Sequence, residues 1–155
     1  MASWDKYTPQ MLSILRIVVA LLFIEHGTQK LLGFPAPPAS GHLPAITSLS
    51  GMAAVFEFIL GPLLLVGLGT RWLSFILAGE MAIAYWIAHF PRSFWPVLNG
   101  GDAAILYCFV FLFIACAGGG AWSLDRVLWR APRAPSARAT QPAALARQAP
   151  SSRNA

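Results

Sequence analysis

Three glutamates lie in the middle of long apolar runs, where a carboxyl group can do chemistry that its neighbours cannot. Glu25, Glu57 and Glu80 each fall inside a stretch long enough to cross a lipid bilayer. A charged side chain at that depth costs about 2.5 kcal/mol or more, so such residues usually face the interior of a bundle, pair with a cation or stay protonated. A carboxyl group placed in this way can transfer protons or hydrogen-bond the polar head of a ligand.

The three carboxyl groups are expected to lie at a similar depth in the bilayer. An α-helix rises 1.5 Å per residue, which places Glu57 and Glu80 near the bilayer midplane and Glu25 slightly towards the outside. Burial and a neighbouring like charge both favour the neutral form of a carboxyl group. We therefore expect at least one of the three to be protonated at neutral pH. A nearby cation is expected to compensate another, and the candidates are Arg16, His26 and Lys30.

The candidate site combines these groups with other polar side chains. The residues expected to handle a ligand or protons are Glu25, His26, Lys30, Glu57, Glu80 and His89, and the supporting residues are Arg16, Gln29, Tyr85 and Asp102. The polar side chains of the first helix cover about half of its circumference, which predicts a helix surrounded by neighbours. Arg16 and Lys30 lie near opposite ends of that helix, from which they could extend towards the headgroups. No spacing typical of metal ligands occurs, so no metal site is predicted.

Several of these candidates also have a structural interpretation. Glu57 and Glu80 each lie among alanines and glycines, which let a neighbouring backbone approach closely, so both could serve only as hydrogen-bonding contacts between helices. Asp102 is expected to cap the fourth helix and to complement its dipole. His89 is expected at headgroup level, either as a hydrogen-bonding residue or beside an outward-facing opening.

The elements that must position these residues are membrane-spanning helices. The chain has 155 residues, of which 57% are hydrophobic and 11% charged, against about 25% charged in a soluble domain. Four apolar segments are candidates to cross the hydrocarbon core, over residues 11–32, 45–68, 72–90 and 103–117. In lipid, only a helix satisfies all of its backbone groups within one segment. The sequence therefore predicts an all-α polytopic membrane protein, a bundle of four transmembrane helices.

The distribution of basic residues predicts how this bundle is oriented. Arginines are concentrated in the turn between the second and third segments and after the fourth, at Arg71, Arg126, Arg130, Arg133, Arg138, Arg147 and Arg153. The positive-inside rule places both regions, and with them both termini, in the cytoplasm of a cell with this protein in its inner membrane. The expected parts are a cytoplasmic N-terminus (1–10), a transmembrane domain (11–125) and a disordered basic tail (126–155). The lipid bilayer is the expected partner, and nucleic acid is not.

Four sequence elements together resemble the DoxX family of bacterial membrane proteins. The stretch Glu25–Gly33, EHGTQKLLG, is similar to the family's HGxQKLxG signature. Three others follow in order: Phe56–Arg71, Glu80–Pro91 and the turn Asn99–Asp102, in which aspartate stands where glutamate is commoner. The resemblance covers about residues 10–125. It implies a four-helix inner-membrane protein similar to the DoxD subunit of thiosulfate:quinone oxidoreductase, with relatives linked to sulfur and oxidative-stress redox systems.

The resemblance and the polar residues together suggest a redox-associated membrane subunit that binds a quinone, or another apolar molecule with a polar head, between its helices. Glu57 and Glu80 would hydrogen-bond this ligand or relay its protons, and His26 and Lys30 would favour a developing anion. A separate redox partner protein would deliver electrons, because the sequence contains no catalytic motif and no thiol pair. The alternatives are a non-catalytic scaffold, whose buried charges hold the helices together, and a small transporter, which would need to form a homo-oligomer.

Overall fold

The computed structural model describes residues 4–129, and all regular structure in that range is helical. A 3-10 turn over Trp4–Tyr7 leads into α1 (Thr8–Leu32), which is followed by α2 (Leu49–Val66) and α3 (Thr70–Ala84). The chain continues from α3 through a π-helical segment, Tyr85–His89, and a 3-10 turn, Phe90–Arg92. It then forms α4 (Pro96–Asn99), α5 (Asp102–Ala117) and α6 (Leu124–Leu128). Most of the tail predicted over 126–155 lies outside the described residues.

Three helical segments are long and apolar enough to cross a membrane: Trp4–Leu32, Leu49–Val66 and Thr70–Arg92. The prediction of an all-helical membrane protein is therefore confirmed for the described residues. The fourth predicted span, α5, is apolar but has only 16 residues, a rise of about 24 Å against a hydrocarbon core of about 30 Å. The second predicted span began too early, because Ser48 caps α2 by accepting a hydrogen bond from the Gly51 N–H at 3.1 Å.

Two glycines fix where α1 and α2 end. Gly33 and Gly67 have φ angles of 67° and 73°, a left-handed conformation that strains other residues but terminates a helix well. The turn from α2 to α3 is consequently very short, Gly67–Gly69, whereas residues 33–48 form a longer loop. We call the end of the bundle with the start of α1, the α2–α3 turn and the end of α5 the proximal end. The distal end carries the loop 33–48 and the turn 93–101.

The long helices associate as two pairs, because α1 packs mainly against α2 and α3 mainly against α5. In the first pair, Gly27 and Gly61 remove the side chains that would keep the backbones apart. A Cβ atom on Gly27 would lie 2.8 Å from the Phe58 backbone nitrogen, and one on Gly61 would lie 2.6 Å from Ile24 Cγ1. The two pairs enclose an apolar core that includes Phe23, Leu64, Leu77, Phe111 and Ile114. The close crossing of α1 and α2 determines which of their polar side chains meet.

At the proximal end, a buried arginine joins the two pairs. The Arg16 side chain is fully buried, and its guanidinium donates to carbonyl oxygens on both sides. Nη1 donates to Leu64 at 2.6 Å and also to Leu65, at the end of α2. Nε donates to Gly119 at 3.0 Å and Nη2 to Trp122 at 2.6 Å, in the segment after α5. Because the last carbonyls of a helix lack intrahelical partners, a cation there both completes their hydrogen bonding and complements the helix dipole.

Two further charged residues at this end cap helices across the chain. The Asp125 carboxylate accepts hydrogen bonds from the Gly69 and Thr70 N–H groups at 2.6 and 2.8 Å, and so caps the start of α3. Arg71 donates to the last carbonyls of α5, including that of Ala115 at 3.0 Å. Together with Arg16, these residues form what we call the proximal network. Arg71, predicted as an orientation signal, thus also has a structural role.

Candidate functional site

The ion pair between Lys30 and Glu57 is the centre of the candidate site. The Gly27 crossing brings the Glu57 backbone against α1, and Lys30 follows Gly27 by almost one turn on the same side of the helix. The Lys30 Nζ atom lies 2.5 Å from Glu57 Oε1. The Glu57 residue is 1% exposed, whereas 26% of the Lys30 side chain is exposed. The cation therefore compensates the buried carboxylate, and Lys30 does not extend freely to the headgroups as the sequence suggested.

Glu80 supplies a second buried carboxyl group beside this pair. It interacts electrostatically with both Glu57 and Lys30. Its two carboxyl oxygens are buried and have no hydrogen-bond partner among the described residues, and the same holds for Glu57 Oε2. Buried polar atoms are normally hydrogen-bonded, and leaving one unpaired costs free energy. The cluster of Lys30, Glu57 and Glu80 thus presents three acceptor oxygens that no described protein group satisfies.

A cavity lies at the distal end of the bundle, and Lys30 is one of the residues that line it. Its volume is about 440 Å³. Polar residues from α1, the loop 33–48 and the start of α2 line much of the rest: Gln29, Ser40, His42 and Ser50. This cavity, which we call the distal vestibule, gives Lys30 access to polar surroundings. Gln29, a predicted supporting residue, lines the same cavity as Lys30, and so does His42, which was not among the candidates.

Glu25 and His26 lie elsewhere on α1 and are exposed on the surface of the bundle. The His26 ring meets Tyr107 of α5 edge-on, with ring centroids 6.0 Å apart. The expectation that neighbours surround α1 on all sides is therefore wrong for the face that carries Glu25 and His26. Tyr107, whose ring also stacks on Phe111 with centroids 5.8 Å apart, is a polar side chain beside this face that the sequence reasoning missed. The sequence feature that could have identified Tyr107 is its phenol group on the otherwise apolar helix α5.

Tyr85 and His89 are the first and last residues of the π-helical segment that precedes the distal turn. Their rings stack with centroids 6.5 Å apart, and His89 Nδ1 lies 3.1 Å from the Asn99 carbonyl oxygen. The Asn99 side chain in turn accepts a hydrogen bond from the Gly101 N–H at 2.7 Å. Asp102 lies in the first turn of α5, as expected for a favourable dipole interaction, but Gly101 is the N-cap residue and no side-chain capping hydrogen bond forms there. These contacts give His89 a structural partner at the distal end.

Arg16 is not part of the cluster. It lies in the proximal network, with its guanidinium committed to backbone carbonyls, so the expectations that it extends towards headgroups or compensates a central glutamate are wrong. Among the described residues, no group of three or more histidine, cysteine, aspartate or glutamate side chains has the geometry to hold a metal ion. Among the candidates, the polar groups that lie near one another inside the bundle are Lys30, Glu57 and Glu80, and Gln29 lines a cavity together with Lys30.

The fold and the site define a helical polytopic membrane protein with a charged pair and a further carboxyl group inside its bundle. A model of the DoxX family matches residues 11–90, more than half of the chain, and the chain belongs to this family. The matched residues include all three members of the buried cluster, whereas the turn 99–102 lies beyond them.

Two relatives support this assignment. The chain is 41% identical over 133 residues to an uncharacterized protein of Haemophilus influenzae, covering 84% of this chain and 99% of that protein. It is 27% identical over 155 residues to an uncharacterized membrane protein of Mycobacterium tuberculosis, covering 88% of this chain and 94% of that protein. No solved structure matches the chain.

Proposed function

We propose that this DoxX-family protein binds a quinone, or a similar apolar ligand with a polar head, with that head beside Glu57 and Glu80. The observation that carries this proposal is the pair of buried Glu80 carboxyl oxygens without a partner among the described residues. Folding a polar group into such a place costs free energy unless something else hydrogen-bonds it. A ligand head in the bundle would supply the missing hydrogen-bond partner and so remove that cost.

The chemistry of the cluster favours a ligand that exchanges protons. The hydroxyl of a reduced quinone can donate a hydrogen bond to a carboxylate, and the carbonyl of an oxidised quinone can accept one from a protonated carboxyl group. Lys30 favours negative charge that develops on the ligand head. The distal vestibule would connect Lys30 with water, so that protons reach or leave the cluster by way of Glu57. Electrons would come from a separate redox partner protein, since the sequence contains no flavin, haem or thiol-pair motif.

The proposed setting is the cell inner membrane, with α5 as the fourth crossing and both termini in the cytoplasm. The support is the concentration of arginine in two parts of the sequence, between the second and third spans at Arg71 and after the fourth at Arg126 and five later positions. Alkaline phosphatase fused within the loop 33–48 is expected to be active, and a green fluorescent protein fused after residue 155 is expected to fluoresce. The reverse pattern would contradict this orientation.

Ligand binding is tested by mass spectrometry of the lipids extracted from gently purified protein. Wild type is expected to retain quinone in near-stoichiometric amounts. Glu80→Met is expected to lose most of it yet stay folded, because no described protein group bonds the Glu80 carboxyl. Glu25→Met makes the same chemical change on the exposed face of α1 and is the matched control, so its quinone content should equal that of wild type. Background quinone in all three proteins would refute the proposal, as would full retention by folded Glu80→Met.

The Lys30–Glu57 pair gives specific support to a second candidate, a non-catalytic scaffold in which buried charges join helices. The two functions differ in what Glu80→Met does to stability. A scaffold whose Glu80 holds helices together should unfold at a clearly lower temperature when that residue is replaced. With both proteins freed of ligand, the binding function predicts that Glu80→Met unfolds at the same or a higher temperature than wild type, because an apolar side chain replaces an unsatisfied polar one.

A further inference from the structure

A second cavity lies at the proximal end, far from the buried carboxyl cluster along α1. Its volume is about 780 Å³, within the range typical of ligand-binding pockets. Its wall combines apolar side chains with arginines; the residues important here are Pro9, Leu12, Arg71, Trp72, Arg126 and Trp129. Such a mixture suits a ligand that has both an apolar part and a negatively charged part.

The charge that this cavity offers to a ligand is positive. Asp125 also lines it, but both of its carboxylate oxygens already accept hydrogen bonds from the start of α3. Arg71 is held in place by the carbonyls at the end of α5, which use mainly its Nη1 hydrogens. Among the described residues, the Arg126 guanidinium has no hydrogen-bond partner, since only its backbone N–H is bonded, to Ser123 Oγ. Two guanidinium groups therefore have donors left for an anion.

The side chains around the cavity place it at the boundary between lipid headgroups and acyl chains. Trp72 and Trp129 are 78% and 67% exposed, and tryptophan is enriched at that boundary. The short helix α6 exposes Leu124, Val127 and Leu128 beside the cavity, as a segment does when its apolar face lies in the membrane surface. These exposed apolar side chains favour a position of the cavity beside lipid, where the accessible ligands are membrane components.

We infer that the proximal cavity binds the headgroup phosphate of an anionic phospholipid. Arg71 and Arg126 donate to the phosphate oxygens, a pairing for which guanidinium geometry is well suited. The apolar side chains of Pro9, Leu12 and the two tryptophans contact the upper part of the acyl chains. This site is independent of the proposed quinone site, since it shares no residue with the buried cluster or the distal vestibule.

The inference is tested by titrating full-length protein in a neutral detergent with phosphatidylglycerol and counting bound lipid by native mass spectrometry. One phosphatidylglycerol is expected to bind more tightly than phosphatidylcholine. Arg126→Gln is expected to weaken it about fivefold, the factor for one basic residue near a membrane surface, and the variant should fold because that side chain has no bond within the described structure. Arg92→Gln, which removes the same charge from an exposed position at the distal end, is the matched control.

Four results would overturn the inference. Equal affinities for phosphatidylglycerol and phosphatidylcholine would show that the headgroup charge is not recognised. Equal weakening by Arg92→Gln and Arg126→Gln would show attraction by net charge alone, and no weakening by Arg126→Gln would place the lipid elsewhere on the chain. A separate titration with inorganic phosphate distinguishes the source of the anion: displacement of phosphatidylglycerol by low concentrations of free phosphate would contradict a lipid site.

Discussion

Replacing Arg16 by lysine should destabilise the bundle strongly although it keeps the charge. The guanidinium donates to carbonyls of Leu64, Leu65, Gly119 and Trp122, which surround it on different sides. A lysine ammonium on the same helix is a single point and cannot reach all of them, so we expect it to lose at least two. A hydrogen bond to a charged group contributes about 1.5–3 kcal/mol. The side chain is 0% exposed, so water cannot replace the lost donors.

Allowing for partial relaxation, we expect Arg16→Lys to cost about 3 kcal/mol. For a chain of this length, each kcal/mol lowers the unfolding temperature by about 2–4 °C, so a fall of about 6–12 °C is expected. Circular dichroism of the purified protein in mild detergent measures it. A local readout accompanies the global one: the Trp122 N–H, which donates to Ser13 Oγ at 2.9 Å, should exchange with solvent faster.

The control for this experiment is Arg92→Lys, the same substitution at an exposed position of the distal end. It is expected to leave the unfolding temperature within error of wild type. If Arg16→Lys also unfolds like wild type, the hydrogen bonds of the guanidinium do not hold the two helix pairs together, and the structural role assigned to the proximal network is wrong.

Three further predictions use the same thermal assay. Lys30→Met should lower the free energy of unfolding by about 3–5 kcal/mol, because it leaves Glu57 charged and buried. Lys30→Met/Glu57→Gln should recover most of this loss. If it does not, the unpaired charge of Glu57 is not the cause. Gly27→Leu should prevent folding, because α1 and α2 could no longer approach each other. The control is Gly79→Ala, where a Cβ meets nothing within 4 Å and which should stabilise α3 by about 0.5–1 kcal/mol. Equal effects of the two substitutions on the unfolding temperature would contradict the close crossing of α1 and α2. Asp125→Ala should cost about 1–2 kcal/mol through loss of the α3 cap, and a neutral result would show that water caps it equally well.

The helices themselves were predictable from the sequence because apolar length is a property of one segment. Residues 11–32 and 72–90 were expected as spans and lie within helical segments of sufficient length. The π-helical segment over Tyr85–His89 was not expected. A π-helix differs from an α-helix in the spacing of its hydrogen bonds, and its amino-acid composition gives no distinctive signal. The third span was expected to end at residue 90, and the helical segment ends close by, at the 3-10 turn Phe90–Arg92.

Which polar residues meet was much harder to predict, since it depends on how helices face one another. A helical wheel gives the angle between Glu25 and Lys30 but not which of them points at α2. That choice follows from the crossing at Gly27, and the small residues around Glu57 were the signal for it. Arg16 was misplaced for a similar reason: its acceptors belong to the segment after α5 and to the end of α2, distant in sequence. The roles of Glu57, Glu80 and Lys30 in ligand binding stay predictions.

When two helix pairs are joined at one end, a rotation between them displaces residues more the farther those residues lie from that end. The proximal network joins the α1–α2 pair to the α3–α5 pair, and Lys30 follows Arg16 by 14 residues along α1, about 21 Å. A rotation of one pair against the other by only about 5° would therefore shift Lys30 and Glu57 by about 2 Å relative to Glu80 on the opposite pair. The separation of these groups is thus more sensitive to a small rotation between the pairs than any distance within the proximal network.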